Sequence, residues 1–288
     1  MSLQEATSHL KNWLDEQNKP VISLYDFFTG ASHISQRKNG AKPTRNRVWQ
    51  LFNVMLKQKN RRKTTITWDQ DYRNHLRVLT VPDLPSREIV CSVDRFCYIS
   101  HLSAMQHWNL TNLIPHWLML TRPSSQLLEK VYIPETQKAL NPPSDFRIRN
   151  VTHPKQVRRL PIKKPTETSL PGKSVRIQFS SARVSTLGQT FVDMLIRPEL
   201  CGGIQHILDA WEEHAPTRLE PIIEAVDQCS KSIVKCRAGY ILEERLKITN
   251  PDIEKWKRWA QPGGSRKLDP YSPFERNVST TWMISINV

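Results

Sequence analysis

From Thr44 to Lys57 the chain reads Thr-Arg-Asn-Arg-Val-Trp-Gln-Leu-Phe-Asn-Val-Met-Leu-Lys. Asn46, Gln50, Asn53 and Lys57 recur every three or four residues, so a helix would set them in one row. Asn and Gln can pair bidentately with adenine, and Arg or Lys with guanine or phosphate, so such a row suits a major-groove reader. Arg45 and Arg47 lie on its shoulders, and Lys59, Arg61, Arg62 and Lys63 follow as a basic turn able to grip phosphates. Together with the cap residue Thr44, these are the candidate DNA contacts.

Other chemistries find less support. The cysteines at 91, 97, 201, 229 and 236 match no zinc ribbon, finger or CxxC redox spacing. With no export signal they read as reduced, mostly buried thiols. His101 and His107 stand six apart, off the spacing that places two ligands on one helix face. No metal and no cofactor are therefore expected. A nucleotidyltransferase needs a Gly-Ser turn followed by closely spaced acids. Gly264-Ser265 is followed only by Asp269 and Glu275, and Asp69-x-Asp71 has no Gly-Ser before it. Walker A and GxSxG sequences are absent, as are RRM and KH signatures. The chain is expected not to be an enzyme. An RNA-binding protein and a nucleic-acid-modifying enzyme are the alternatives to DNA binding.

The elements that must position the row follow from periodicity. Leu3, Ala6, Leu10, Trp13 and Leu14 predict a first helix over about 3–17. Ser23 can cap a short second helix carrying Leu24, Phe27 and Phe28 and ended by Gly30, with residues 31–43 as a loop. Thr44 caps the third, whose Val48, Leu51, Phe52, Met55 and Leu56 form the buried stripe. Two β-rich runs follow, 64–68 and 77–81. Three helices and then a hairpin is the order of a winged helix.

The charge segregates along the chain. The total of 42 Lys+Arg and 27 Asp+Glu gives +15 over 288 residues, and the N-terminal 183 residues hold all of the excess. Basic residues concentrate between Arg37 and Arg77 and again between Arg147 and Arg183. Such segregation fits a nucleic-acid face beside a neutral domain. No run approaches 18 apolar residues and the N-terminus lacks the apolar core of a signal peptide, so a soluble, cytoplasmic protein with no membrane contact is expected.

In the middle segment Ile89, Val90 and Val93 suggest a strand, Ser100 caps a helix, and 118–121 suits another strand. Prolines crowd 122–175, which argues against long helices and for short strands such as 131–133 and 146–148 with exposed basic loops such as 155–164. From Ser185 the stripes are helical: 187–195, 204–211, 219–226 and 233–242. Asn250-Pro251 opens a further helix, and 281–287 reads as a terminal strand. The fold class expected is α+β: an N-terminal winged helix-turn-helix at 1–88, then 89–288 with a strand-rich basic part (89–183) and a helical part (184–288).

Four blocks carry a family likeness. Residues 95–111 read Arg-Phe-Cys-Tyr-Ile-Ser-His-Leu-Ser-Ala-Met-Gln-His-Trp-Asn-Leu-Thr. Residues 186–195 read Thr-Leu-Gly-Gln-Thr-Phe-Val-Asp-Met-Leu, followed by Gly202-Gly203. Then come Lys-Cys-Arg-Ala-Gly-Tyr-Ile-Leu-Glu at 235–243 and Gly-Gly-Ser-Arg-Lys-Leu-Asp-Pro at 263–270. In this order they resemble AbiEi-type antitoxins, the transcriptional regulators of type IV toxin–antitoxin (abortive infection) systems in phage defence. The resemblance implies a winged helix that binds inverted repeats in its own promoter, repressing it. It also implies a C-terminal domain opposing an AbiEii-type nucleotidyltransferase toxin without a stable complex. The matched positions are Tyr98, Ser100, Ser103, Asp193, Gly202, Gly203, Arg237, Gly239, Tyr240, Glu243, Arg266, Lys267 and Asp269. Asn109 departs from the family's usual Gly, and the region from Arg61 to Val81 is longer than its usual wing. As structure, the two glycine pairs read as turns needing positive φ, and Arg237 as the ion-pair partner of Glu243 or Glu244.

Overall fold

The computed structural model describes residues 2–39, 44–56, 65–140, 148, 150–168, 173–262 and 266–288. It is a mixed α+β chain. Helix α1 (Leu3–Gln17) opens with a reciprocal cap: Ser2 Oγ accepts from the Glu5 amide and the Glu5 carboxylate accepts from the Ser2 amide. Strand β1 (Val21–Ser23) leads into α2 (Leu24–Asn39), where Ser23 and Asp26 bond reciprocally at 2.7–3.2 Å. The helix does not stop at Gly30 and covers most of the expected loop 31–43. Gly30 serves close packing instead: a Cβ there would come within 2.4 Å of the Trp13 ring. Helix α3 (Arg45–Leu56) follows, with Thr44 Oγ1 accepting from the Arg47 amide at 3.4 Å and Val48, Leu51, Phe52 and Met55 buried.

Strands β2 (Ile66–Trp68) and β3 (His75–Val78) close a three-stranded antiparallel sheet in the order β1-β3-β2. Its register runs Ile22↔Leu76 on one side and Trp68↔Leu76 on the other. Leu10, Leu14, Phe27, Phe28, Phe52, Met55, Ile66 and Leu76 fill the space between helices and sheet. Edge-to-face rings at 5.2–5.9 Å link Phe27, Phe28, Trp49, Phe52 and Trp68.

The expected strand at 89–93 is a helix, α4 (Ser86–Val93). Its β-branched residues all face inward at helical spacing, so packing overrides their strand preference. Strand β4 (Tyr98–Ile99), helix α5 (His101–His107) and strand β5 (Leu120–Pro123) come next. The proline argument then fails, because 125–140 is helical: α6 (Ser125–Leu127), a π turn over Leu128–Tyr132, and α7 (Ile133–Leu140). The wide π turn stands directly before Pro134, where a helix best tolerates a missing N–H and the bulk of the ring. Of the expected strand 146–148, only the buried Ile148 falls among the described residues.

The loop expected at 155–164 contains a small hairpin, β6 (Gln156–Val157) and β7 (Leu160–Pro161). Strand β8 (Thr166–Thr168) pairs in parallel with β5, followed by β9 (Ser174–Arg176) and β10 (Arg183–Ser185), the last parallel to β4 through Val184↔Ile99.

The C-terminal helices agree closely with the stripes. They are α8 (Leu187–Ile196), α9 (Ile204–His214), α10 (Leu219–Gln228) and α11 (Ser232–Gly239), which runs into a π turn over Tyr240–Arg245. Asn250 caps α12 (Pro251–Trp256) by accepting from the Asp252 amide at 2.8 Å. The terminal strand is shorter than expected: β11 (Val278–Ser279) pairs with β12 (Ile284–Ser285), and positive φ at Met283 breaks the run after Trp282. Trp211, Trp256 and Trp282 are fully buried in this core.

By contact the chain divides into two units. One is Met1–Tyr98, Thr121–Pro171 and Arg176–Arg183, and the other is Ile99–Leu120, Gly172–Val175 and Val184–Val288. The expected boundary near residue 88 differs from this division. Side-chain bonds tie α4 and the β6–β7 hairpin to the N-terminal elements: Ser92 donates to the Val21 carbonyl at 3.3 Å, and Arg158 bonds Asp69 and Asp83.

Candidate nucleic-acid interface

Burying Val48, Leu51, Phe52 and Met55 turns the opposite face of α3 outward. Thr44, Arg45, Asn46, Gln50 and Asn53 are exposed and Arg47 is half-buried, with Arg47 Nη1 donating to Gln50 Oε1 at 3.4 Å. The helix thus brings Asn46, Gln50 and Asn53 onto one solvent-facing side, with Arg45 and Arg47 on its shoulders and the cap Thr44 at its N-terminus. Lys57, Lys59, Arg61, Arg62 and Lys63 lie outside the described residues.

The turn between β2 and β3 is acidic and tied down. Asp69 Oδ1 accepts from the amides of Asp71 and Tyr72 at 3.0 and 2.9 Å. Arg158, at φ 46° in the β6–β7 turn, reaches Asp69 at 2.7 Å, Asp83 at 2.8 Å, and Asp71. Burial pushes the Asp69 carboxyl up, but Arg158 and the two amides outweigh it and hold it below the usual range. The isolated Asp-x-Asp is therefore an anchor for an arginine. Arg158 is withdrawn from the second basic stretch, as is Arg183, whose guanidinium donates to the carbonyls of Cys91, Asp94 and Cys97 at 2.7–3.0 Å. Lys155, Arg159, Lys163 and Lys164 remain exposed.

The family-block residues are mostly buried and bonded within their own unit. Tyr98 is buried on β4. Ser100 Oγ lies 2.8 Å from His101 Nδ1, and Ser103 Oγ accepts from the Met119 amide at 3.0 Å. Gly202 and Gly203 take φ of 95° and 94° at the entry to α9, the positive values expected of a turn. Gly263 and Gly264 lie outside the described residues. Arg237 does not pair with Glu243 or Glu244. It donates to the Leu195 carbonyl at 2.6 Å and the Lys267 carbonyl at 2.8 Å, and burial lowers its pKa to about 10. Glu243 instead accepts from Lys257 at 2.7 Å, and Glu244 accepts from Ser279 at 2.8 Å. The buried guanidinium follows carbonyls because they lie at helix and loop ends with unsatisfied lone pairs.

Gly239 lets α11 meet Trp282, since a Cβ there would lie 2.2 Å from the indole, and the adjoining Tyr240 is buried. Arg266 donates to the Trp259 carbonyl at 2.7 Å and Lys267 to the Ser272 carbonyl at 2.7 Å. Asp269 accepts from the Tyr271 amide, while Asn287 bonds both the amide and carbonyl of Asp269 at 3.0 and 2.9 Å. Asp193 differs from its neighbours. Gln189 bonds its Oδ1 at 2.8 Å, but Oδ2 is buried with no partner among the described residues, and burial pushes its pKa up to about 7.

One constellation escaped the spacing argument. Asp94, Cys97 and His153 bring a carboxylate, a thiol and an imidazole within 4.8 Å of one another. His153 and Asp94 are 59 residues apart, so no local pattern could have joined them. Comparison with protein families and with curated proteins finds no match for the chain.

Proposed function

We propose that this chain is a DNA-binding transcriptional autorepressor and the antitoxin of a type IV toxin–antitoxin system, working in the cytoplasm against an AbiEii-type nucleotidyltransferase. The observation that carries the DNA reading is the outward face of α3, with Arg45, Asn46, Gln50 and Asn53 exposed opposite a fully packed stripe. The elements before and after it support a winged helix. They run helix, strand, helix, helix, strand, strand, with β3 between β1 and β2. In that arrangement the third helix enters the major groove. The antitoxin reading rests on the four ordered blocks of the family likeness. Their residues sit in buried hydrogen bonds that hold a fold, which fits a non-catalytic domain. No helix among the described residues is long and apolar enough to cross a membrane.

A gel shift with the DNA upstream of the chain's own coding sequence tests this reading. Binding should prefer that DNA over random duplex, and log affinity should fall about linearly with log salt. Equal affinity for both duplexes at physiological salt would sink the repressor. A single-stranded RNA that competes better than the operator would favour the RNA-binding alternative.

A further inference from the structure

We propose that Asp94, Cys97 and His153, joined by Cys91, form a tetrahedral site for a thiophilic divalent cation of the zinc class. The inference is independent of the DNA reading and lies wholly within the first unit. It departs from the expectation of no metal, which rested on local cysteine spacing.

The last turn of α4 carries Cys91, and the turn after it carries Asp94 and Cys97, whose amide closes on the Asp94 carbonyl at 3.3 Å. The Cys91 and Cys97 side chains interact across the turn, so the second sulfur adjoins the trio. His153 Nε2 lies 3.0 Å from Asp94 Oδ2. Ligand atoms around zinc, at bonds of about 2.0–2.3 Å, sit roughly 3.3–3.8 Å apart in a tetrahedron. The pair therefore needs to open by only a few tenths of an ångström.

The surroundings are those of a supported ligand set. Tyr72 Oη lies 2.9 Å from His153 Nδ1, an outer partner that can fix the proton on Nδ1 and leave Nε2 bare for a metal. Asp94 Oδ1 accepts from the Phe96 amide at 2.9 Å, which leaves Oδ2 to face inward. Cys91 Sγ accepts from the Arg183 amide at 3.5 Å, an N–H···S contact that favours a thiolate. Arg183 also donates from its side chain to the carbonyls of Cys91, Asp94 and Cys97, so one residue braces three proposed ligands. Two thiolates and a carboxylate overcompensate a divalent ion by one charge, and the Arg183 guanidinium supplies the balancing charge that a buried site requires. Sulfur with imidazole selects zinc or cobalt over magnesium or calcium. Binding releases the two thiol protons to solvent. His153 binds neutral, its proton moving from Nε2 to Nδ1.

The test uses the full chain, purified with reductant, stripped of metal and titrated with Co2+. The expected result is one Co2+ per chain, with a thiolate-to-cobalt charge-transfer band and the visible absorption of a tetrahedral site, both removed by Zn2+. Zn2+ should also raise the melting temperature. Cys97→Ser and His153→Gln should abolish the band, and Cys91→Ser should reduce it. Tyr72→Phe keeps all four ligands and should weaken affinity by about 10–100-fold. No thiolate band at saturating Co2+, or a band unchanged in Cys97→Ser, overturns the proposal. If Cys97→Ser does not fold, the wild-type spectrum and Tyr72→Phe still decide.

Discussion

On α3 the side chains of Arg45, Asn46, Gln50 and Asn53 face solvent, while in the second unit Ser103, Arg237 and Asp269 are buried against main-chain groups. Both sets are polar and both stood out in the sequence. Substitution should separate them. Polar groups that close internal carbonyls and amides act on stability, because removing one strands its partner in the interior. Polar groups on an outward helix face cost the fold little and act only through what they bind.

The largest effect is expected at Arg237. Arg237→Met keeps the bulk of the side chain but leaves the Leu195 and Lys267 carbonyls without their donor. Urea unfolding should show a loss of about 3–5 kcal/mol, as for other buried charged hydrogen-bonding groups that are removed. A loss below about 1 kcal/mol would mean that water replaces the guanidinium and that the buried set is less essential than its geometry implies.

Asp193 sharpens the comparison by adding pH. Its carboxyl is raised by burial to about 7, above the unfolded value of 3.8, so the folded state binds more protons than the unfolded state between these pH values. Its contribution is therefore fully present below the unfolded pKa and is lost as pH rises through about 7. Stability should fall across that window by up to about 1.4 kcal/mol per pH unit for this one group. Asp193→Asn should flatten the slope and gain most above neutral pH. Parallel melting curves of wild type and variant across pH 5–8 would refute it.

How much of this was legible varies with the range of the interaction. The buried stripes of α1, α3 and α8–α11 were readable because helical burial repeats every three to four residues, and Asn250-Pro251 was readable because a cap is local. The misreadings came from tertiary demands. Gly30 reads as a stop and is a contact point for Trp13. Ile89, Val90 and Val93 read as strand and are a packed helix face. Pro134 reads as a breaker and sits behind a π turn. In the candidate interface the row on α3 was visible, but the fate of the second basic stretch was not. Arg158 and Arg183 take partners far along the chain, which leaves no local trace.

Gly30→Ala tests one of those misreadings by sign. In an exposed helix interior, Gly→Ala stabilises by roughly 0.5–1 kcal/mol. Here the new methyl meets three Trp13 ring atoms within 2.4–2.7 Å, so the variant should instead lose about 1–3 kcal/mol through overpacking. Gly30→Ala with Trp13→Leu should recover part of the loss, because the double change removes the clash. A stabilised single variant would mean that Trp13 yields to the methyl and that close packing does not require Gly30.

The smallest effects on the fold are expected on α3, where the comparison predicts a separation between two classes of binding variant. Gln50→Ala and Asn53→Ala should leave the melting temperature nearly unchanged, with ΔΔG within about 0.5 kcal/mol. Each should lower affinity for the operator by about 1–3 kcal/mol if it reads a base edge, with little change for random duplex. Arg45→Ala, at the exposed first residue of α3, should weaken both duplexes alike and reduce the slope of log affinity against log salt by about 1, the signature of one lost phosphate contact. If Gln50→Ala also weakened both duplexes alike, the row would be a phosphate-facing surface and sequence reading would have to reside elsewhere. If neither class moved binding while Arg237→Met still destabilised the chain, the outward face would carry no recognition at all.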